Sequence, residues 1–450
     1  MTDISLDHVL NLADDIVKAA IKAGADAADA LVYESISQAA SYRLGKLEDV
    51  ERSESRDLGI RVFVGQQQAS ISSNDFKKEA LLPLVDRVIS MAKAAPEDPY
   101  AVLADRELLA TEQKDLDLYD KSPPPSSEQL AAKAQIVEEA ALAVDGVTNS
   151  EGASASWGSA TFALATSEGF CKGYSTSRHG IGVSVIAGEG MGMERDYEFT
   201  SARHEEDLKD PVAVGRIAAE KTVKRLNPKK AKSQSVPIVY DPRVSRGLLG
   251  HFAGAINGRS IARGVSFLKD KLSKQVFNSS VNIIDDPHRL RGLGSMPFDG
   301  EGVRAEKLSL IKDGSLTCWL LDSSSAKQLE LTTNGRAARG TGGPPSPSTT
   351  NLYMEAGSVS PKDLMSDIEQ GFYVTELIGM GVNGVTGDYS RGATGFWIEN
   401  GEITYPVNEI TIAGNLVDMF LAATPADDLV FEFGANAPTI RVDGMTIAGT

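Results

Sequence analysis

The chain has 450 residues, 42% of them apolar, and a formal net charge of −17. That length predicts two or three domains with cores of their own, and no run of about 18 apolar residues is present to span a membrane. The acidic balance repels phosphates and so opposes direct nucleic-acid binding. The start, "MTDISLDHVLNLADD", lacks the basic and apolar regions of a secretory signal, so the expectation is a cytoplasmic protein.

Taken in chain order, Leu6, Val9, Leu10, Ala13, Ile16, Val17 and Ala20 recur at helical spacing, with Ser5 placed to cap the helix and Gly24 to end it. "ADALVYES", "QAASYRLGKLEDVERS", "LGIRVFV" and "QASISS" have strand character, and "VGQQQ" reads as a hairpin turn. A helix is expected over about 79–94, stopping at Pro96, and another over about 128–144, capped by the serines of "SPPPSSEQ". The small and β-branched residues from "ASASWGSATF" to "VSVIAGEG" predict a meander of long strands. "DPVAVGRIAAEKTVKRL" is a further helix, with Asp210 as cap and Pro211 in first position.

"NPKKAKSQSVP" (Asn227 to Pro237) is polar and holds two prolines, which marks a boundary. The expected organisation is α+β: an N-terminal α+β domain over 1–226 with an antiparallel sheet, a linker at about 227–236, and a β-rich, barrel-like C-terminal domain over 237–450. Lys221 to Lys232 carries six basic residues and no aromatic; it reads as a helix end plus linker rather than a nucleic-acid surface. The two cysteines, Cys171 and Cys318, exclude a disulfide framework and a cysteine zinc cluster. Both lie in apolar strand-like runs and are expected to be buried, inert thiols.

Five histidines are present: His8, His179, His204, His251 and His288. None pairs with another four or five residues on, so no helix presents two of them to a zinc ion. His204-Glu205 is the only His-Glu step, and Leu208 and Lys209 follow where a second ligand would be needed. In "LLGHFAGAIN" a helix is capped by Asp241 and Pro242, with Gly258 as its C-terminal glycine. Val244, Leu248, Phe252 and Ala255 line one side. His251 sits at the edge of that face, where a backbone carbonyl is expected to satisfy it. No Gly-x-Ser-x-Gly elbow occurs, and the serines of "NGRSIARG" and "YSTSRHG" show no triad spacing. "RGTGGPPSPSTTN" and the Gly-x-Gly-x-x-Gly match at Gly379 to Gly384 lead into no helix, so neither cradles phosphate. Asp299 and Glu301 in "MPFDGEGVRAEKL" read as turn residues, with functional pairing as the alternative.

"GKLEDVERSESRDLGIRVFVGQQQASISSND", "DPRVSRGLLGHFAGAINGRSIARGVSFLKDKLSKQVF", "MPFDGEGVRAEKLSLIKDGSLTCWLLDSSSAKQL" and "TTNLYMEAG" resemble, in order, the TldD/PmbA family, called "modulator of DNA gyrase", and within it the PmbA (TldE) branch. The resemblance implies a metallopeptidase-related fold and a dimer enclosing a cavity. The TldD branch carries a His-Glu-x-x-x-His helix and a later cysteine; carried over, His251 matches the first His, Phe252 the Glu and Ile256 the second His, and the cysteine position falls near Phe433. The resemblance therefore implies no catalytic or metal-binding residue and no cofactor in this chain, with zinc expected only in a TldD-type partner. Whether the chain is itself an enzyme stays open. The implied function is that of a non-catalytic subunit acting with a TldD-type metallopeptidase on unfolded or leader peptides, in proteolysis, peptide maturation and antitoxin turnover. A homodimer is allowed when the chain is alone. Strand edges of the C-terminal domain are expected to hold peptide by main-chain pairing. The alternatives are a metal-independent hydrolase and a binding protein that regulates gyrase or an antitoxin.

Overall fold

In the computed structural model, which describes residues 5–449, α1 (Leu6–Lys22) lays Val9, Ala13, Ile16, Val17 and Ala20 on the sheet below it. Ser5 holds the N-cap position, but its side chain makes no capping bond. There follow β1 (Ala27–Arg43), β2 (Lys46–Val64), β3 (Gln67–Ser73), α2 (Lys78–Ala94), α3 (Ser127–Leu142), β4 (Val147–Thr166), β5 (Cys171–Ala187), β6 (Glu194–Ala202) and α4 (Pro211–Lys224). The strands form one antiparallel sheet in the order β3-β2-β1-β4-β5-β6. "QAASYRLGKLEDVERS" is not one strand but a hairpin: Leu44 and Gly45 turn with φ of 48° and 78°. The fully buried Glu138 of α3 accepts both their amides, which ties the hairpin tip to the helix.

Alternate residues of the sheet point to one face. That face carries two helix pairs. Ala28, Ala30, Val32, Leu58, Ile60 and Val62 meet α1 and α2; Ala153, Ala155, Trp157, Ile181 and Val183 meet α3 and α4. Local caps start the second pair: Ser126 and Gln129 form a reciprocal capping box, and Asp210 accepts from the Ala213 amide with Pro211 in the first turn.

The C-terminal half contains β7 (Gln234–Tyr240), α5 (Pro242–Ala255), α6 (Gly258–Ala262), β8 (Ile283–Asp285), β9 (Leu308–Lys312), β10 (Ser315–Leu316), α7 (Ser323–Gln328), β11 (Ala337–Ala338), β12 (Ser346–Pro347), β13 (Leu352–Met354), α8 (Pro361–Met365), β14 (Gln370–Ile378), β15 (Asp388–Glu399), β16 (Glu402–Asn415), α9 (Leu416–Ala422), β17 (Ala423–Pro425), β18 (Ala435–Asn436) and β19 (Ile440–Ala448). Strands β16-β15-β14-β7-β19 run side by side, and β16 pairs again with β19, which closes a five-stranded barrel. Pro237 has no amide to give a ladder; it sits in β7 opposite a register shift in β19, between Val442 and Met445. A second sheet, β10-β9-β8-β13-β18, flanks the barrel. Leu248, Leu249 and Phe252 of α5 join Tyr240, Phe372 and Val374 in one core. Closure gives each of the five barrel strands a partner on both sides among the described residues, while the short strands β17, β10 and β18 remain at sheet ends.

The overall class is α+β, with an antiparallel N-terminal sheet and a β-barrel in the C-terminal half. Among the described residues no helix is long and apolar enough to cross a membrane. Several cations of the 221–232 segment have partners within the chain: Lys221 bonds Glu198, Lys230 bonds Glu409, and Lys229 lies 4.0 Å over the Tyr405 ring. Cys171 corrects the expectation of a buried thiol. It is exposed because it opens β5 beside α1, where its Sγ lies 3.8 Å from the Leu10 carbonyl oxygen. Cys318 is half-buried.

Buried ion pairs and an aromatic seam are among the contacts that join the halves. Asp196 of β6, 3% exposed, accepts from Arg225 at 3.1 Å and from Arg243 of α5 at 2.7 Å. Arg225 also reaches Glu376 of β14 at 2.6 Å. Phe298 stacks edge-on against Phe170 and Tyr174. Arg339 reaches Asp29 of β1 at 2.5 Å. Burial alone would raise the Asp196 carboxyl; the Arg243 hydrogen bond and charge, with Arg225, bring it below the usual carboxylate range. Removing one partner of a buried ion pair leaves a charge uncompensated. Asp196→Asn is therefore expected to lower stability by about 3–5 kcal/mol in urea titration, whereas a loss under about 1 kcal/mol would show that the clamp is dispensable.

Candidate functional site

Helix α5 starts as its sequence requires: Asp241 accepts from the Arg243 amide and Pro242 occupies the first turn. It ends earlier than expected. Ile256 is its C-cap, Asn257 caps α6, and Gly258 opens that next helix. A Cβ at Gly258 would lie 2.7 Å from Leu321 Cδ2 and 2.8 Å from the Leu320 carbonyl oxygen, so close packing and not helix termination demands the glycine there.

The helix sends its residues in different directions. His251 is half-buried, with its ring edge-on to Tyr389 at 5.9 Å between centroids. Among the described residues no backbone carbonyl takes a hydrogen bond from it, which corrects the sequence expectation; the barrel's Tyr389 occupies that flank instead. His251 lines a cavity of about 340 Å³ with Gly250, Gly254, Ser260, Met380 and Arg391. Burial first, then the Arg391 charge, holds its pKa below the ordinary histidine value. Phe252 points the other way, fully buried and T-shaped against Phe277 at 5.3 Å and Phe420 at 6.2 Å. Ile256 is fully buried too, and its carbonyl accepts from the Leu320 amide at 3.0 Å. Phe433 lines a different cavity, about 400 Å³, beneath the Arg246 guanidinium at 3.8 Å and beside Phe199 at 5.4 Å.

Zinc takes nitrogen, sulfur or carboxylate ligands at about 2.0–2.3 Å, three of them from protein in a catalytic site. Of His251, Phe252, Ile256 and Phe433, only the first can donate, and two of the others are held in the hydrocarbon core. These residues do not fit a zinc ion. Restoring the acid should not restore a site: Phe252→Glu places a carboxylate among Phe277 and Phe420, and is expected to cost more than about 3 kcal/mol of stability by urea titration. A stable, soluble Phe252→Glu protein with unchanged midpoint would contradict this packing.

The other sequence candidates converge in two places. His179 Nε2 lies 3.2 Å from Asp120 Oδ2, with Glu205 3.9 Å from its Nδ1. His204, next to Glu205, is 2.9 Å from the Asp117 carbonyl oxygen. Ser177 of "YSTSRHG" donates to the Arg203 carbonyl and accepts from the Asp120 amide, so it serves the backbone and not as a nucleophile. Gly379 to Gly384 joins β14 to β15, with Gly379 at φ 83°. "RGTGG" presses against the N-terminal sheet: a Cβ at Gly59 would meet the Thr341 carbonyl oxygen at 2.3 Å.

Asp299 and Glu301 are both turn residues and neighbours. The Asp299 carboxylate accepts from the amides of Glu301, Val303 and Ala337, and Glu301 accepts from the amide and hydroxyl of Ser323. Burial, then the Glu301 charge, pushes Asp299 up to about 7 against those three donors. A folded value above the unfolded one means that the folded chain keeps this proton longer. The associated stability is full below about pH 4 and is lost as pH rises through about 7. In Glu301→Gln, urea midpoints measured from pH 5 to 8 should fall less steeply than in the parent; an identical slope would remove Glu301 from the account.

Strand β6 was not legible as a strand. Its buried members include Asp196 and Glu198, while Tyr197 and Phe199 are half-exposed, so the usual alternation is inverted. Charged residues alternating with aromatics, Asp196 and Glu198 beside Tyr197 and Phe199, were the available signal.

Family models for the PmbA/TldA metallopeptidase match the chain in three segments: domain 1 over residues 28–92, the central domain over 120–226 and the C-terminal domain over 233–449. The Metalloprotease PmbA of Escherichia coli O157:H7 is 40% identical over 428 residues, covering 94% of this chain and 92% of that protein. The Metalloprotease PmbA homolog of Haemophilus influenzae is 39% identical over 437 residues, covering 96% and 94%. A crystal structure of a protein from Bacteroides thetaiotaomicron, named as a modulator of DNA gyrase, superposes with a TM-score of 0.90 at 27% identity, covering 99% of both chains. TldE from Thermococcus kodakarensis shares the fold, with a TM-score of 0.84 at 20% identity over 97% of this chain and 99% of that one.

Proposed function

This chain belongs to the PmbA/TldD metallopeptidase family, and from that premise we propose that it is the non-catalytic subunit of a heteromeric peptidase whose TldD-type partner supplies the zinc. The observation that carries this reading is the donor set on α5: one histidine, with Phe252 and Ile256 built into the core where an acid and a second histidine would stand. Among the described residues, no group of three or more His, Cys, Asp or Glu is placed to hold a metal ion. The role left to this chain is mechanical and steric. The Asp196 clamp fixes α5 against β6, and the cavities between the halves supply wall and peptide contacts. The substrates in this reading are unfolded or leader peptides in the cytoplasm, and the chain pairs with itself only when the partner is missing. The ion pairs of Lys221 and Lys230 within the chain weigh against this segment as a nucleic-acid surface.

The test is co-expression with the TldD-type protein of the same host. The expected result is a stable complex that cleaves an unfolded peptide, while each chain alone does not. A chain that cleaves alone with chelator present would establish the metal-independent hydrolase instead. Stable capture of gyrase or an antitoxin with no TldD-type protein would favour the regulator.

A further inference from the structure

Two cavities, of about 400 and 360 Å³, adjoin between the halves and share Lys209, Val430, Glu432 and Phe433 as lining. Tyr197, Glu198 and Phe199 line the first; Thr200, Ser201 and Ala202 line the second. These are consecutive residues of β6. Alternate residues would line a cavity lying on a sheet face, so the two cavities run along the strand's outer edge. β6 is the last strand of its sheet and pairs only with β5 among the described residues. A strand edge of this kind offers a row of amide donors and carbonyl acceptors to an extended chain.

The opposite wall is apolar and mixed in charge, with Asp207, Asp241, Asp428 and Glu432 among its arginines. Leu290 is 72% exposed, Val430 61% and Phe431 41%, an unusual grouping to leave open to water beside a strand edge. Most cations here are already paired: Lys209 with Glu198 and Glu432, Lys221 with Glu198, and Arg243 with Asp196. Arg246 and Arg289 are not. Arg246 donates only to the Arg243 carbonyl and lies 3.8 Å over the Phe433 ring; Arg289 lies 3.4 Å over the Phe431 ring. Neither guanidinium has a carboxylate within 4.0 Å among the described residues. Two arginines that lie over aromatic rings with no ion-pair partner, Arg246 feeling Glu432 only at longer range, can accept a carboxylate from outside.

We propose that this groove binds an extended peptide bearing carboxylates, which pairs its main chain with the β6 edge and places acidic groups on Arg246 and Arg289. The proposal rests on the reading of the chain as a peptide-handling subunit, and it puts the strand edge in the N-terminal half, not the C-terminal one.

The experiment uses the purified full-length chain with no partner and reads fluorescence anisotropy. The probes are a fluorescein-labelled eight-residue peptide alternating glutamate and leucine, the same peptide with lysine for glutamate, and the glutamate peptide N-methylated at alternate amides. The glutamate peptide should bind at least tenfold more tightly than either other probe. Arg246→Gln and Arg289→Gln should each weaken it by about tenfold, as expected for one charge-assisted hydrogen bond. Arg87→Gln, an exposed substitution on α2, should change nothing. Melting curves matched to the parent confirm that the variants fold. Equal binding of the glutamate and lysine peptides, or unchanged affinity in both groove variants, overturns the proposal. So does a dimer that Arg246→Gln dissolves while no peptide binds, since a second copy would then fill the groove. Peptide binding without co-purification of a TldD-type protein counts against the heteromeric reading alone; co-purification without peptide binding counts against the groove alone.

Discussion

The arrangement of this molecule turns on one buried carboxylate. Asp196 stands on the last strand of the N-terminal sheet and holds Arg225, at the end of α4, and Arg243, in the first turn of α5. Arg225 continues to Glu376 in the barrel. Four elements from both halves therefore meet at one desolvated network, and its geometry decides where α5 lies relative to β6. An isolated buried charge costs several kcal/mol. The network is tolerable only because each charge has its partner, which makes the relative placement of the halves a condition of folding and not a loose hinge. The apolar seam of Phe170, Tyr174 and Phe298 and the Asp29–Arg339 pair act in the same sense at the other end of the interface.

What α5 presents follows from that placement. One side faces the barrel core with Leu248, Leu249 and Phe252; another faces a small cavity with His251; its first turns face the interdomain groove with Arg243 and Arg246. A helix that positioned a metal would aim two donors at one point. This one carries a single donor, His251, and places Phe252 and Ile256 in the hydrocarbon core. The groove beside it is lined by the guanidinium groups of Arg246 and Arg289, each lying over an aromatic ring.

Much of the fold could be read from local sequence, because its signals are local. Asp210-Pro211 and Asp241-Pro242 begin helices where the pairing of cap and proline says they should, and Ser126 with Gln129 does so by a capping box. The α5 positions of His251 and Phe252 also followed from periodicity alone. Gly258 misled because a glycine after a helix can mark its end or the close approach of another segment, and only the position of Leu320 and Leu321 separates the two. Long-range features left no local trace. Barrel closure depends on β16 meeting β19, and the Asp29–Arg339 pair joins residues from opposite halves of the chain. β6 escaped notice because its inward positions are charged, the reverse of the pattern that identifies a half-buried strand. The same inversion that hid the strand is what builds the clamp and leaves Tyr197 and Phe199 at the groove.

The central claim is that this chain keeps the architecture of a metallopeptidase family while α5 is packed for structure and not for metal. The most direct measurement is the zinc content per chain, by native mass spectrometry, of the full-length protein purified alone and equilibrated with a slight excess of zinc. The account predicts no stoichiometric zinc and no shift in melting temperature on its addition. One tightly held zinc ion per chain, lost on His251→Ala, would contradict it.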